Sequence, residues 1–136
     1  MKLDAIHPAG WAKASGYSNG VLVSGAGRTL YLAGQIAWDE EQRIVGEGDF
    51  GAQFEQALRN VVTIIETAGG NAHHLVRLTI FVVDKKQYMA NLREIGAAYR
   101  DLVGRHYPAM SLVQVAALLE EGALLEIEAT AVLPEA

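Results

Sequence analysis

The chain has 136 residues, of which 51% are hydrophobic, and its 16 acidic and 11 basic side chains give a formal charge of −5. This length and apolar content predict one folded domain over residues 1–136 with a single core. The negative charge is the opposite of the basic footprint of nucleic-acid binders, so nucleic acid is not an expected partner. The absence of cysteine excludes disulfides and thiolate chemistry.

Residues 1–10 lack a charged segment followed by an apolar run, and no stretch approaches the roughly 20 apolar residues that span a bilayer. We therefore expect no secretion leader, no membrane partner and a cytoplasmic location.

The first predicted elements are strands over residues 21–24 and 29–36, separated by Gly25-Ala26-Gly27-Arg28. This spacing favours an antiparallel hairpin with a short loop. Paired glycines can also bind phosphate, but no Lys-Ser/Thr follows and the next segment is a strand, so the phosphate-loop pattern is not met.

A long amphipathic helix is predicted to begin after Asp49 as its N-cap and to end at Gly69-Gly70. Its apolar residues recur at helical spacing, and they are Phe54, Ala57, Leu58, Val61, Ile64, Ile65 and Ala68.

Residues 75–83 alternate as a strand whose two faces are both largely apolar. One face holds Leu78, Ile80 and Val82, and the other holds Arg77, Thr79, Phe81 and Val83. Such a strand is expected to be covered on both sides.

A second helix is predicted to begin near Asp84, with Gln87 placed to complete a capping box, and to end before Gly104 and Pro108. Strands over residues 110–115 and 124–133 follow. The apolar stripe of the helix consists of Tyr88, Leu92, Ile95, Tyr99, Leu102 and Val103.

This order of elements predicts an α+β fold with one mixed sheet and two helices packed on a single face. No remaining element is long enough to cover the other face of the sheet. Burying Phe81 and Val83 most simply requires another copy of the chain, so we expect an oligomer.

In the last strand Glu126, Glu128 and Thr130 share the face opposite the apolar one. One interpretation is that this face is solvated, or that each glutamate pairs with an arginine across the sheet. The other is catalytic, because a carboxylate at the rim of an intersubunit cleft could position or deprotonate water. Both stay open at this point.

The sequence carries no standard metal or nucleophile signature. His73 and His74 are adjacent at a strand entrance, where they would point to opposite faces rather than chelate one ion, so no metal site is expected. There is no G-x-S-x-G elbow, no H-E-x-x-H and no dinucleotide-binding fingerprint.

Taken together, these segments resemble the Rid (YjgF-type, reactive intermediate deaminase) family over nearly the whole chain. The resemblance implies a chorismate-mutase-like fold, a homotrimer with three clefts between subunits, a small-molecule substrate and no cofactor. The segments that carry it are Gly16-Tyr17-Ser18-Asn19-Gly20, Leu32-Ala33-Gly34-Gln35, Leu58-Arg59-Asn60-Val61, residues 75–84, Tyr99 with Pro108-Ala109, and Leu125-Glu126-Ile127-Glu128-Ala129.

In archetypal members the arginine after Pro-Ala binds the carboxylate of a 2-imino acid, and a glutamate of the last strand orients the attacking water. The resemblance places that catalytic role on Glu126. It implies substrate contacts for Tyr17, Gln35, Met110 and Ser111.

The chain departs from the family at two positions of this site. Met110 stands where the arginine is expected, and Gly96 stands where members commonly carry asparagine. A thioether supplies neither the charge nor the paired donors of a guanidinium. Arg105 could reach over in its place, or could simply act as a favourable charge at the end of the second helix.

Three functions follow from this resemblance. The leading one is a cofactor-free hydrolase or deaminase for a small imine, enamine or related electrophile, such as an aminomuconate-type compound, rather than standard 2-imino acids. The second is a ligand-binding or regulatory trimer without turnover. The third is the ribonuclease activity attached to some members, which the acidic balance disfavours.

Overall fold

The computed structural model describes all 136 residues, which form six strands, three α-helices and a short 3-10 turn at Ala72–His74. The strands are β1 Lys2–Ile6, β2 Gly20–Ser24, β3 Gly27–Gln35, β4 Leu75–Val82, β5 Ala109–Gln114 and β6 Leu125–Pro134, and the helices are α1 Phe50–Thr67, α2 Lys85–Ala90 and α3 Leu92–Leu102.

Four of the strands form a mixed sheet in the order β3-β6-β4-β5. β6 runs antiparallel to both β3 and β4, while β4 and β5 are parallel. Parallel neighbours need a crossover connection, and α2 and α3 supply it. The predicted α+β fold with one mixed sheet is therefore confirmed.

The helices α1 and α3 pack against one face of this sheet, and the core lies between them. The alternation predicted for β4 decides which side chains enter that core. Leu78 and Ile80 are 1% and 2% exposed, while Thr79 and Phe81 of the other face are only half-buried. We call the face that carries Thr79, Phe81, Glu126 and Glu128 the open face.

Helix α1 forms as the sequence predicts. The Asp49 side chain accepts a hydrogen bond from the backbone N–H of Ala52 at 3.1 Å, which caps the first turn. The helix ends at Thr67, and Gly69 follows with a φ of 93°, a conformation that glycine adopts at little cost.

The predicted hairpin between the second and third strands is wrong. β2 pairs with β1, which the sequence reading missed, and β3 pairs with β6 at the far end of the chain. A Cβ atom on Gly27 would lie 2.9 Å from the Val132 side chain, so this glycine lets the start of β3 approach β6 closely. The turn residues between β2 and β3 therefore connect two different sheets.

The predicted second helix is two helices, α2 and α3, which meet at Asn91. The Asn91 side chain donates to the backbone carbonyl of Gln87 at 2.7 Å, a local bond that competes with continuation of the helix. The capping box is also absent. Asp84 caps α2 by accepting from the N–H of Lys86, whereas Oε1 of Gln87 is buried without a hydrogen-bond partner.

Candidate functional site

The final strand β6 sorts its side chains between the two faces of the sheet. Leu125 and Ile127 are fully buried on the helix side, whereas Glu126 and Glu128 point to the open face. Glu126 lies opposite Phe81 and is half-buried, while Glu128 lies opposite Thr79 and is exposed. The two glutamates therefore lie on the same face of the sheet but differ in burial.

The carboxylate of Glu126 lies over the backbone of the neighbouring strand at Gly34. A Cβ atom at that position would overlap Oε1 of Glu126, so any other residue would displace the carboxylate. The pairing of β3 with β6 shifts register between Leu32 and Gln35, beside this contact. The absence of a side chain at Gly34 thus allows the Glu126 carboxylate to lie at this position.

Neither glutamate of the open face forms an ion pair in the structure. Arg77, the one arginine on this face of β4, lies opposite Thr130 and is exposed. The interpretation that each glutamate is neutralised by an arginine across the sheet therefore does not describe this structure. The Glu126 carboxylate is free to accept a hydrogen bond from water.

Ser111 lies on the same face, because it pairs with Thr79 across the parallel strands β4 and β5. Phe81 stands between the strands that carry Ser111 and Glu126. Tyr31 of β3 is 79% exposed on the opposite side of β6. The open face therefore combines hydroxyl and carboxylate groups with the exposed ring of Tyr31 and the half-buried ring of Phe81.

Met110 points the other way. It pairs with the core residue Leu78, and its side chain packs against the core beneath α3. The sheet therefore separates the Met110 side chain from the Glu126 carboxylate.

Tyr17 and Gln35 also lie apart from Glu126 in the folded chain. Tyr17 lines a surface groove together with Arg105, and Gln35 lines a different groove beside α1. The side-chain amide nitrogen of Gln35 donates to the backbone carbonyl of Ala33 at 3.2 Å. Of the five residues predicted for the site, the fold of the chain brings only Ser111 and Glu126 to a common face.

Two residues that position the site were not predicted. Gly34 makes room for the Glu126 carboxylate, and Gln53 of α1 fixes the segment before β6. Gln53 is fully buried, donates to the carbonyl of Gly122 at 3.1 Å and accepts from the N–H of Leu124 at 2.9 Å. A glutamine on the apolar face of a helix was the available signal, since a buried amide needs partners.

The histidines at the entrance of β4 bond to the backbone. Nδ1 of His74 accepts from the N–H of Asn71 at 3.0 Å, and Nε2 of His73 lies 3.1 Å from the carbonyl of Val103. Burial, and then the nearby His73 and His106, lower the pKa of His74. No group of three or more His, Asp or Glu side chains is arranged to hold a metal ion.

Tyr99 lies in the last turn of α3 and bonds to the segment that follows the helix. Its hydroxyl donates to the carbonyl of His106, and its ring stacks on Tyr107 at a centroid distance of 5.5 Å. Burial, and then the neighbouring Tyr107, raise the pKa of the Tyr99 hydroxyl, so this group stays a neutral donor.

No helix of the protein has both the length and the apolar character needed to cross a bilayer.

The sequence is similar to a family model and to known proteins over most of its length. The family model described as Endoribonuclease L-PSP matches residues 9–133. Protein DfrA of Myxococcus xanthus is 35% identical over 137 residues, covering 97% of both chains. The 2-iminobutanoate/2-iminopropanoate deaminase of Homo sapiens is 33% identical over 125 residues, covering 89% of this chain and 85% of the relative.

Solved structures show a similarity of the same extent. The Rid-family protein YyfB of Yersinia pestis superimposes with a TM-score of 0.86 at 36% identity, covering 98% of this chain and 100% of that one. E. coli TdcF with bound serine gives a TM-score of 0.67 at 30% identity over 88% and 90% of the two chains. Because the family model and these relatives span most of the sequence, the chain belongs to the Rid (YjgF-type) family, whose model is described as Endoribonuclease L-PSP.

Proposed function

We propose that the protein is a cofactor-free deaminase that hydrolyses a small imine or enamine in a cleft between subunits of a homotrimer. Glu126 is the residue that orients and deprotonates water. Ser111 contributes a hydroxyl on the same face, and Tyr17, Gln35 and Met110 would reach such a cleft only as residues of a neighbouring subunit.

The placement of Glu126 is the observation that carries this proposal. The residue is half-buried, and its carboxylate lies over Gly34 and has no ion-pair partner. A carboxylate held in this way can accept a proton from water during attack. Relatives named as 2-iminobutanoate/2-iminopropanoate deaminases support the same reaction class.

The reaction needs no group beyond water and the protein. Water adds to the imine carbon while Glu126 takes up one of its protons. That proton passes to the imine nitrogen and gives a carbinolamine. The hydroxyl of the carbinolamine then gives up its proton, a proton passes to the amino nitrogen, the carbon–nitrogen bond breaks, and ammonia leaves a carbonyl product. An enamine enters the same sequence after it takes up a proton at carbon and loses one from nitrogen to become the imine.

Assembly is part of the proposal, because the open face carries apolar rings that no element of the same chain covers. Tyr31 is 79% exposed there, and Phe81 is half-buried. A second copy packed on this face would remove these rings from water and enclose Glu126.

The substrate is proposed to differ from the standard 2-imino acids. Met110 occupies the position of the arginine that binds their carboxylate in the family, and it faces the core rather than the open face. A carboxylate buried in the cleft without a cation would cost several kcal/mol. Imines and enamines without that carboxylate avoid this cost.

A second candidate function is a trimer that binds a small ligand without turnover. Met110 and Gly96, which replace two residues of the family site, favour it. The two candidates differ in a single observable, because only the enzyme releases ammonia, whereas any ligand of the cleft stabilises the fold by mass action.

The test is ammonia release from 2-iminobutanoate, an aminomuconate-type enamine and neutral imines, with thermal unfolding measured on the same compounds. We expect turnover of an enamine or neutral imine and very slow turnover of 2-iminobutanoate. Stabilisation without ammonia from any compound would favour the second candidate, and fast 2-iminobutanoate turnover would contradict the proposed substrate class.

Variants then test the role of Glu126 on the substrate found. Glu126→Gln keeps shape and hydrogen bonding but removes the base, so turnover should fall by about 10²-fold or more. Glu128→Gln is the matched control on the same face and should keep most activity. Equal losses in both variants would point to a general charge effect instead.

A second pair of variants tests the contact with Gly34. Gly34→Ala should displace the Glu126 carboxylate and lower turnover by a similar factor, about 10²-fold. Gly20→Ala is its control, because a Cβ atom there meets nothing closer than Ile6 at 3.8 Å. Full activity in Gly34→Ala would show that the carboxylate does not act from this position.

A further inference from the structure

Ser18 is a buried serine inside an otherwise exposed segment. It is 5% exposed, whereas Tyr17 and Asn19 on either side of it are exposed. Apart from Ser18, the only non-aromatic polar side chain that is buried is that of Gln53. Because buried polar groups in proteins have hydrogen-bond partners, the contacts of Ser18 show what holds this segment in place.

Both donors of Ser18 bond to the connection between α3 and β5. Its hydroxyl donates to the backbone carbonyl of Tyr107, and its backbone N–H donates to the carbonyl of Pro108 at 3.0 Å. Ser18 also forms an isolated parallel bridge with Ala109, the first residue of β5. These contacts join two segments of the chain that are 89 residues apart in sequence.

The connection that receives these bonds is itself held by the rest of the fold. The Tyr99 hydroxyl of α3 donates to the carbonyl of His106, and the Tyr99 ring stacks on Tyr107. Nε2 of His106 lies 2.6 Å from the carbonyl of Leu75, at the start of β4. Ser18 therefore ties the N-terminal segment to a part of the chain that is fixed to both a helix and the sheet.

The stretch before Ser18 has no such ties. The backbone N–H of Trp11 donates to the carbonyl of Pro8 at 3.3 Å, but residues 12–17 form no backbone hydrogen bond and belong to no helix or strand. Ser18 is thus the first residue after this stretch that fixes its position.

The groove that Tyr17 lines lies between the two segments that Ser18 joins. Its first wall comes from the N-terminal segment and its second from the connection between α3 and β5, and the residues that contribute to them include His7, Lys13 and Tyr17 on the first and Arg105 and Tyr107 on the second. Because Ser18 bonds to the second wall, the separation of the two walls depends on it.

We propose that Ser18 is a positioning residue, which holds Tyr17 at a fixed place relative to Arg105 and so sets the affinity for the substrate. This inference rests on the proposed function, in which Tyr17 reaches the substrate from a neighbouring subunit. A segment that is ordered before binding loses less conformational entropy when the ligand arrives. The chemical step at Glu126 does not depend on Ser18.

The first experiment needs no substrate, because Lys13 is exposed in the segment and trypsin cleavage after it reports how often the segment opens. Ser18→Ala removes one hydrogen bond and leaves the Tyr107 carbonyl without its partner, so cleavage should be about 10-fold faster. Ser24→Ala is the matched control, since Ser24 is exposed in β2, and it should leave the rate unchanged. An unchanged rate in Ser18→Ala would overturn the proposal.

Steady-state kinetics on the substrate that releases ammonia then separate binding from chemistry. Ser18→Ala should raise KM by about 10-fold and change kcat by less than about threefold. For a ligand that is bound without turnover, the Kd from thermal unfolding takes the place of KM. A loss in kcat with KM unchanged would overturn the positioning role.

A double-mutant cycle with Tyr17→Ala shows whether Ser18 acts through this tyrosine. Tyr17→Ala alone should raise KM by about 10-fold, and Ser18→Ala added to it should raise KM by no more than about twofold more. If the two single effects multiply in the double variant, Ser18 acts on binding independently of Tyr17 and the proposal fails.

The same experiments distinguish this proposal from the proposed function. A Tyr17→Ala variant with unchanged KM in a protein that releases ammonia would overturn the positioning role and leave the deaminase proposal standing. A protein that binds the compounds without releasing ammonia would overturn the deaminase proposal, while cleavage at Lys13 and the Kd cycle still decide the role of Ser18. Thermal unfolding checks that each variant is folded, and Ser18→Cys, whose thiol is a weaker donor, replaces Ser18→Ala if that variant does not fold.

Discussion

The two faces of the four-stranded sheet are built from the same strands, yet they differ in cover and in chemistry. On the helix side, Leu78, Ile80 and Ile127 are at most 2% exposed beneath α1 and α3. On the open face, their sequence neighbours Thr79, Phe81 and Glu126 are half-buried and meet no helix. The core side stabilises the fold of the chain, and the open side is left for the proposed assembly and for the proposed reaction.

This difference shows how one alternating strand can serve two purposes. Because side chains alternate between faces, β6 contributes Leu125 to the core and Glu126 to the candidate site without a compromise in either role. A substitution at one position should therefore affect stability, while one at the next position should affect function.

The largest expected effect on stability is on the core side. Leu125 is 0% exposed, and Leu125→Ala should lower the free energy of unfolding by about 3 kcal/mol, because it removes buried methyl groups and leaves a cavity. Glu128→Ala, three residues along the same strand, should change it by no more than about 0.5 kcal/mol. Urea unfolding of both variants measures the contrast, and similar losses would mean that the two faces do not differ as described.

A smaller effect is expected from pH at the entrance of β4. Burial, followed by the charges of His73 and His106, lowers the pKa of His74 below its usual 6.5. The unfolded chain therefore takes up this proton first, so the stability that neutral His74 contributes is present above about pH 6.5 and is lost as the pH falls through that value toward the folded pKa.

Urea unfolding on the two sides of pH 6.5 checks this dependence. The free energy of unfolding should fall less on acidification in His74→Gln than in the unmodified protein, because glutamine keeps an acceptor for the N–H of Asn71 and does not titrate. An identical fall in both proteins would show that His74 does not contribute.

The elements that the sequence predicted well are those whose pattern is local. Helix α1 followed from apolar residues at helical spacing between Asp49 and Gly69, and both β4 and β6 followed from alternation. The hairpin failed because the partner of a strand is not a local property. β3 pairs with β6, roughly a hundred residues away along the chain, as Thr29 opposite Val132 illustrates.

In the candidate site, too, the features set by a local pattern could be predicted and those set by distant contacts could not. The direction of Glu126 could be predicted because it depends only on the alternation within β6. Its position over Gly34 could not, because that depends on the register shift between β3 and β6. A cavity between α3 and the helix side of the sheet was also missed, since it depends on how α3 lies on the sheet.

The central claim is that the open face is a contact between subunits, and the mass of the protein in solution tests it most directly. Light scattering at micromolar concentration should give about 44 kDa, three times the 14.6 kDa of one chain. Tyr31→Glu, which places a charge on the most exposed ring of this face, should shift the mass toward that of one chain. A stable species of 14.6 kDa for the unmodified protein would contradict the account, because Glu126 would then lie on an open surface with no cleft around it.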